Sequence, residues 1–429
     1  MRISRKLLAD VFFFCVLFLS SGATEALTSS TNGADAQGSP LMKVLWAGVY
    51  LVVLCLLVPR LRQVGSLLAG NKCFVVFLLL ALISVQWSVD RQATLQKSIP
   101  LLLSALIGLE FARRYTIQEQ LRIIWMVLAL VVFLGVVAQV CFPGLVPDTD
   151  LDADGAWNGI VTNKNTWARL IVLTGVAILS LPRRTRLSNV RVAVLMVAVI
   201  ALLVASRSAG GLLIMLVAMV LSFGFRVLRW PRPRLLLLAA AMALICVAAG
   251  SYVFQNPDAA ARMMGKDATM TGRVPIWRES LRFARKSPVI GYGYAAFWSQ
   301  NSRPGRLIRE ATNWDSLPHA HNGYIDLMLQ LGAAGLVLYF ASYLIAVKRA
   351  ALLVRTHKQT EFKWPLTFLC VVFLYQLNEA SIVSANQLIW ILYSTVLFSL
   401  TFEAQRGELP VAEEDPHPAA GRVALAAGD

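Results

Sequence analysis

The stretch Pro318-His319-Ala320-His321-Asn322-Gly323-Tyr324 holds two of the chain's four histidines and joins a long polar segment to an apolar run. Imidazole titrates near neutral pH, so a histidine at this junction is a candidate general base. Asn322 has the side chain of a helix N-cap, which predicts a helix from Gly323. His321 then lies just ahead of the helix N-terminus, where the dipole disfavours imidazolium and keeps the ring neutral. On a helix, His319 and His321 would point about 160° apart, which argues against a helical metal pair.

Two arginines could complement such a base. Arg207 lies in Ala205-Ser206-Arg207-Ser208-Ala209-Gly210-Gly211, between apolar runs. A cation so near hydrocarbon is costly and marks a function by default, although it can also snorkel to the interface. Arg273 follows Thr271-Gly272 and opens an amphipathic stretch. Planar guanidinium forks match phosphate oxygens. The loop from Trp157 to Thr166 mixes an aromatic ring, amides and a lysine just ahead of an apolar run. Trp157 and Asn158 suit sugar by stacking and hydrogen bonding; an interfacial Trp anchor with a helix cap at Asn165 is the plainer alternative.

Asp150-Leu151-Asp152-Ala153-Asp154-Gly155 copies the start of a calcium loop. The twelfth position should carry a bidentate Glu and is Val161, so a solvated acidic turn is the expectation, with no metal. Gly291-Tyr292-Gly293-Tyr294 lacks the third glycine of a dinucleotide fingerprint. With Pro288 it predicts a tight turn that folds the polar segment back.

These residues need a scaffold, and the composition says which kind. The chain has 429 residues, 57% hydrophobic and 15% charged. Soluble domains carry nearer a quarter charged residues. Apolar runs at 41–59, 73–89, 98–112, 123–142, 166–182, 190–206, 209–228, 235–254, 323–347, 365–379 and 386–402 read as membrane helices. With the run Leu7 to Ser20, the expectation is an all-α polytopic membrane protein of about twelve transmembrane helices. Ser21-Gly22-Ala23 resembles a signal-peptidase site, so residues 7–23 are either a signal peptide or a first membrane helix.

The net charge of +16 invites a nucleic-acid reading. The basic residues instead cluster at alternate connections: Arg60/Arg62/Lys72, Arg113/Arg114/Arg122, Arg183/Arg184/Arg186/Arg191, Arg226/Arg229/Arg232/Arg234 and Lys348/Arg349/Arg355/Lys358/Lys363. That is the orienting signature of cytoplasmic loops, and it puts both termini inside. The expected organisation is one membrane domain over 1–402, with 255–322 a periplasmic catalytic segment, and a disordered cytoplasmic tail over 403–429. Within the segment, Ile276, Trp277, Leu281 and Ala284 recur at helical spacing against Arg278, Arg282, Arg285 and Lys286, predicting an interfacial amphipathic helix over 274–286 with Trp277 in the headgroup layer. The cysteines, Cys15, Cys55, Cys73, Cys141, Cys246 and Cys370, lie in or beside apolar runs without C-x-x-C spacing and read as small buried side chains.

His321-Asn322, nine residues, Gly332, two residues, Gly335 resembles the pattern of the O-antigen ligase and polysaccharide polymerase superfamily of bacterial inner-membrane proteins. Thr271-Gly272-Arg273 with Trp277, Pro288-x-x-Gly291-x-Gly293, Gly159 with Lys164-Asn165, and Ser206-Arg207 resemble its other motifs. The resemblance spans about Trp157 to Gly335. Asn163 departs from it, standing where many relatives have His.

The resemblance implies glycan transfer at the outer face of the inner membrane, from an oligosaccharide on undecaprenyl pyrophosphate, with no metal or other cofactor. His321 would deprotonate an acceptor hydroxyl that attacks the anomeric carbon with inversion, and Arg207 and Arg273 would hold the pyrophosphate. Lys164, Asn165, His319 and Asn322 join Trp157 and Asn158 as candidate sugar or acceptor contacts. The implied partners are the lipid-linked donor, a glycan or lipid A-core acceptor, the bilayer and other polysaccharide export proteins. Exopolysaccharide or O-antigen polymerase is the first expectation and O-antigen ligase the alternative. A lipid-glycan transporter is a third reading, though no internal repeat of the transporter kind is visible.

Overall fold

The computed structural model describes residues 4–24, 40–146, 155–161, 163–183, 185–229, 234, 273–314, 317–380 and 383–407. The acidic turn at 150–154, the apolar run 235–254, Thr271-Gly272 and the tail from 408 lie outside these. The described residues contain helices and no strand. They run α1 (Arg5–Ser20), α2 (Pro40–Leu57), α3 (Leu61–Ala69), α4 (Lys72–Ile83), α5 (Arg91–Arg114), α6 (Ile117–Cys141), α7 (Lys164–Leu179), α8 (Arg186–Ala205), α9 (Ala209–Gly224), α10 (Arg273–Ala284), α11 (Arg303–Thr312), α12 (Gly323–Thr356), α13 (Trp364–Asn378) and α14 (Leu388–Gln405). Every described apolar run of the sequence falls on one of them. Among the described residues, six helical stretches are long and apolar enough to cross a membrane: Pro40–Ala69, α5, α6, α8, α12 and α14. Lys72–Gln86 and α9 are shorter apolar helices. The protein is an all-α polytopic membrane protein.

Helix starts follow from capping side chains. Thr116 and Glu119 form a reciprocal capping box at α6, and Thr185 and Ser188 do the same at α8; each satisfies backbone donors that a helix start leaves unpaired. Ser208 caps α9. The cap of α7 is Asn163, which accepts from Thr166 N, rather than Asn165. α14 continues to Gln405, past the expected domain edge at 402.

In a bilayer, helices associate through close packing and small residues rather than through expulsion of water. α14, almost wholly buried, lies against α5. A Cβ at Gly108 of α5 would come within 2.7 Å of Ser394 Cβ and 2.8 Å of Ile391 O. The Trp390 indole donates to Leu101 O at 3.0 Å across the same seam. α1 joins the bundle through Phe13, packed on Phe111 and Tyr115, and through Tyr115, which donates to Asp10.

The helix ends divide the molecule. One end carries the described parts of the basic connections: 58–72, 113–117, 181–186, 225–229 and 349–363. The other carries the described parts of 84–91, 142–163, 206–208, 273–322 and 379–387. α12 is broken at this second end, where Gly332 adopts φ 63° and ψ −161°. Residues 288–293 fill the break. Tyr292 N and Gly293 N donate to Leu329 O and Gln330 O, and Ala333 N and Ala334 N donate to Pro288 O and Val289 O, at 2.8–3.0 Å. The predicted tight turn is thus a plug that satisfies the backbone groups freed by the break. A Cβ on Gly332 would sit 2.3 Å from the Val289 carbonyl carbon, and one on Gly291 would sit 2.5 Å from that of Gln330.

Candidate active site

His321 is placed by its backbone. It adopts φ 50°, a left-handed conformation, directly before α12. Asn322 caps that helix, accepting from Tyr324 N and Ile325 N at 3.0 and 3.2 Å, as the sequence suggested. The preceding peptide is clamped on both sides. Trp277 of α10 donates to Ala320 O at 2.8 Å, and Ala320 N donates to Asp326 Oδ1 at 3.0 Å. Trp298 donates to the same oxygen at 2.7 Å. Trp277 therefore holds the histidine loop, where the sequence put it in the headgroup layer. α10 buries Ile276, Ser280, Phe283 and Ala284, and Leu281, expected on that face, is 45% exposed.

The side chains converge on Glu379, which follows α13. His321 Nδ1 lies 3.5 Å and His319 Nε2 3.9 Å from Glu379 Oε2. Arg273 Nη2 lies 3.3 Å and Asn165 Nδ2 3.0 Å from Oε1. Arg273 Nη1 also donates to Asn378 O at 3.0 Å and to Asn378 Oδ1. The separation of 3.5 Å is the outer limit of a hydrogen bond, and no other partner reaches either ring nitrogen of His321 among the described residues. Trp314 stacks on the imidazole, with ring centroids 5.4 Å apart. Burial pushes the Glu379 carboxyl up, but His321, His319 and Arg273 outweigh it and hold it below the ordinary carboxylate value. Burial, followed by the neighbouring His321 ring and Arg273, pushes His319 down to about 4 despite the pull of Glu379.

Residues 192–340 match the protein-family model described as O-Antigen ligase. A 141-residue stretch is 33% identical to the exopolysaccharide production protein ExoQ of Rhizobium meliloti (strain 1021), covering 32% of this chain and 32% of that protein. Both matches point to the O-antigen ligase and polymerase-like superfamily that the histidine motif resembles. The matched family segment contains Arg207, Arg273 and His321, while Asn165 and Glu379 come from outside it. The chain spans about a third of the length of the curated relative it matches.

The structure separates the sequence candidates into groups. His319, His321, Arg273 and Asn165 meet at Glu379. Asn322 adjoins them, with Nδ2 3.4 Å from Leu377 O. Arg207 is exposed with φ 49° in the turn between α8 and α9. That turn belongs to the same end: a Cβ at Gly210, three residues on, would lie 2.8 Å from Asn378 Nδ2. No ion pair holds Arg207 among the described residues. Trp157 N donates to Ala205 O at 3.1 Å, tying its loop to the Arg207 turn. Asn158 is buried with Oδ1 unpaired. No hydrogen bond joins Trp157 or Asn158 to the Glu379 cluster among the described residues. Lys164 opens α7 beside Asn165 and is half-buried.

His319, His321 and Glu379 offer donor atoms within 4.8 Å of one another, a spacing a metal ion could use. Two features favour a hydrogen-bonded cluster instead. His319 Nδ1 accepts from His321 N at 3.1 Å, which puts its proton on Nε2, the atom a metal would need. Arg273 already supplies a positive charge to the same carboxylate.

The sequence reading missed Glu379, Asn378, Asp326 and Trp314. Glu379 had a signal. It is the only charged residue of the apolar run 365–379, and a charge in such a run is a functional hypothesis by default.

Proposed function

We propose that this protein transfers glycan from a polyprenyl-pyrophosphate donor, undecaprenyl pyrophosphate in a bacterial inner membrane, to a sugar hydroxyl at the periplasmic face. The observation that carries the reading is the convergence on Glu379 of two imidazoles from the loop before α12 and one guanidinium from α10, with the Arg207 turn at the same end. Glu379 aligns His321 through Nδ1, which leaves Nε2 to take the acceptor's proton. This is the logic by which a carboxylate orients a catalytic histidine elsewhere. The hydroxyl attacks the anomeric carbon, the carbon–oxygen bond to the pyrophosphate breaks, and the configuration inverts.

Arg207 and Arg273 neutralise the charge that grows on the leaving pyrophosphate. Arg273 spends Nη1 on Asn378 and part of Nη2 on Glu379, yet a guanidinium has five N–H donors and keeps others for phosphate. Asn165 steadies the Glu379 carboxylate. Its role is positioning, whereas Trp157, Asn158 and Lys164 remain with the sugar-contact reading. The basic connections at the opposite end support a cytoplasmic side there and hence a periplasmic side for the cluster.

Polymerisation of exopolysaccharide or O-antigen repeat units is the reading favoured by the name of the relative, an exopolysaccharide production protein. The family description favours a second reading, ligation of finished polymer to lipid A-core. A deletion strain separates them: carrier-bound single repeat units accumulate if the protein polymerises, and long carrier-bound polymer accumulates if it ligates. Transfer by purified protein in detergent tests the reaction itself, since no transport across a membrane can occur there. A preparation that binds donor and transfers nothing refutes the proposal.

A further inference from the structure

A cavity of about 230 Å³ lies beside the Glu379 cluster and is not used by the chemistry above. It opens between α5, the first turns of α12, the residues after the plug, and Ala380 with Val383–Ala385. Drug-sized sites begin at roughly 300 Å³, so this one has room for a single sugar ring rather than a chain.

Its lining carries the groups that recognise hydroxyls. Trp298 offers an indole surface on which the C–H face of a pyranose can stack, with its N–H already fixed on Asp326. Asp326 is buried, and both of its hydrogen bonds among the described residues fall on Oδ1. Gln330 uses its carbonyl oxygen to accept from Ala295 N at 2.9 Å, so what it presents to a ligand is its NH₂. Lys97 stands exposed at the rim with no ion pair among the described residues. Ser384, on the connection after α13, adds a hydroxyl-bearing residue to the lining. An acid, an amide donor, an ammonium and a hydroxyl around an aromatic ring match the alternating donors and acceptors of a sugar.

The cavity also has a definite place relative to the cluster. His319 belongs to both, lining the cavity while its Nε2 lies 3.9 Å from Glu379 Oε2. None of the lining comes from α7, α9 or α10, which carry Asn165, the end of the Arg207 turn and Arg273. An in-line displacement brings nucleophile and leaving group to opposite faces of the anomeric carbon. With the pyrophosphate on the arginine side, the attacking sugar must arrive from the cavity side. We infer that this cavity is the acceptor subsite and takes the terminal sugar ring of the growing or receiving glycan, an assignment that rests on the transfer reading above.

The test uses the full chain in detergent and, as probe, the carrier-free repeat-unit oligosaccharide released by mild acid from the host's own polysaccharide. Binding is followed by saturation-transfer NMR, and transfer is followed separately with the lipid-linked donor. Ser384→Tyr fills the cavity and Lys97→Met removes the rim donor; each is expected to weaken oligosaccharide binding about tenfold or more and to raise the acceptor KM with the donor KM unchanged. Lys97→Met alters an exposed side chain and serves if the tyrosine variant does not fold. Arg207→Ala is expected to bind the oligosaccharide as wild type does. Unchanged binding in both cavity variants, or an equal rise in donor KM, overturns the subsite. Oligosaccharide binding without any transfer by the wild type refutes the transfer reading and the acceptor role with it, leaving only a sugar-binding cavity.

Discussion

The two ends of this helical bundle solve different problems. At the basic end the helices are pinned by short, redundant hydrogen bonds. Arg349 donates to Thr401 Oγ1 at 2.6 Å and to Gly70 O at 3.2 Å, Asn71 donates to Thr401 at 2.8 Å, and Lys363 donates to Ser222 O at 2.9 Å. At the other end stand all the non-glycine residues with left-handed φ among the described ones: Arg207, Ala295, Asn313, His321 and Asn386. Such conformations cost on the order of 1–3 kcal/mol each and persist only where surrounding structure over-determines them. The plugged break in α12 and the clamp on Ala320 are that surrounding structure. Unstrained pinning contacts mark one end, and strained, aimed side chains the other.

The largest effect expected from breaking this contrast is at His321. His321→Ala should lower transfer about a thousandfold, the middle of the range for a general base, while the purified protein keeps its thermal transition. A fully active alanine variant removes the base from the mechanism. Next come the arginines, for which alanine should cost on the order of a hundredfold in rate. They should differ in stability. Arg273→Ala also loses the ties from α10 to Asn378 and Glu379 and should melt earlier. Arg207→Ala, with no such ties, should melt as wild type does. Equal losses of stability in both would contradict the distinction between a built-in and a free guanidinium.

These expectations show what could be read from the chain. Membrane helices were legible because a run of apolar residues leaves the backbone no choice but to bond within itself. The histidine loop and its cap were legible because Asn322 is local to the helix it starts. The cap of α7 was not. Asn163 and Asn165 are equally good cap residues, and only the distant Glu379 decides that Asn165 is used elsewhere. The plug was legible as a turn, but its partner lies some forty residues away, and nothing in the periodicity of α12 marks the break except Gly332. Glu379 could have been found from its own charge. Its role as the meeting point could not, since its partners come from α7, α10 and the loop before α12.

Gly332→Ala tests whether the plug supports the site or only fills space. The substitution puts a Cβ against the Val289 backbone and forces alanine into a positive φ. A loss of about 3 kcal/mol is expected, carried by the second end. Hydrogen exchange should rise in 288–293 and 318–326 before it rises in α5 and α14. Uniform loosening of the whole bundle would show that the two ends are not separable.

Arg349→Ala is the corresponding change at the basic end. It removes two hydrogen bonds from a charged donor, and about 2 kcal/mol of stability should go with them. Activity per folded molecule should not change, because nothing strained depends on that end. A fall in kcat with Arg349→Ala would mean that the pinned end sets the geometry of the other.

The last contrast is a pH dependence carried by His319. Its folded value, about 4, lies below the ordinary histidine value because burial disfavours the charged ring. The unfolded chain therefore takes up a proton at higher pH than the folded one, and stability falls as pH drops from the ordinary value toward 4. His319→Gln keeps a polar side chain that does not titrate, so it should flatten this slope between about pH 6.5 and pH 4. The carboxyl of Glu379, held below its ordinary value by its partners, adds its own loss of stability only as pH falls through about 4.5, so the slope between about pH 6.5 and pH 5 reports His319. An unchanged slope in the glutamine variant would assign the acid sensitivity to another group and would take His319 out of the neutral, hydrogen-bonded role that its Nδ1 contact gives it.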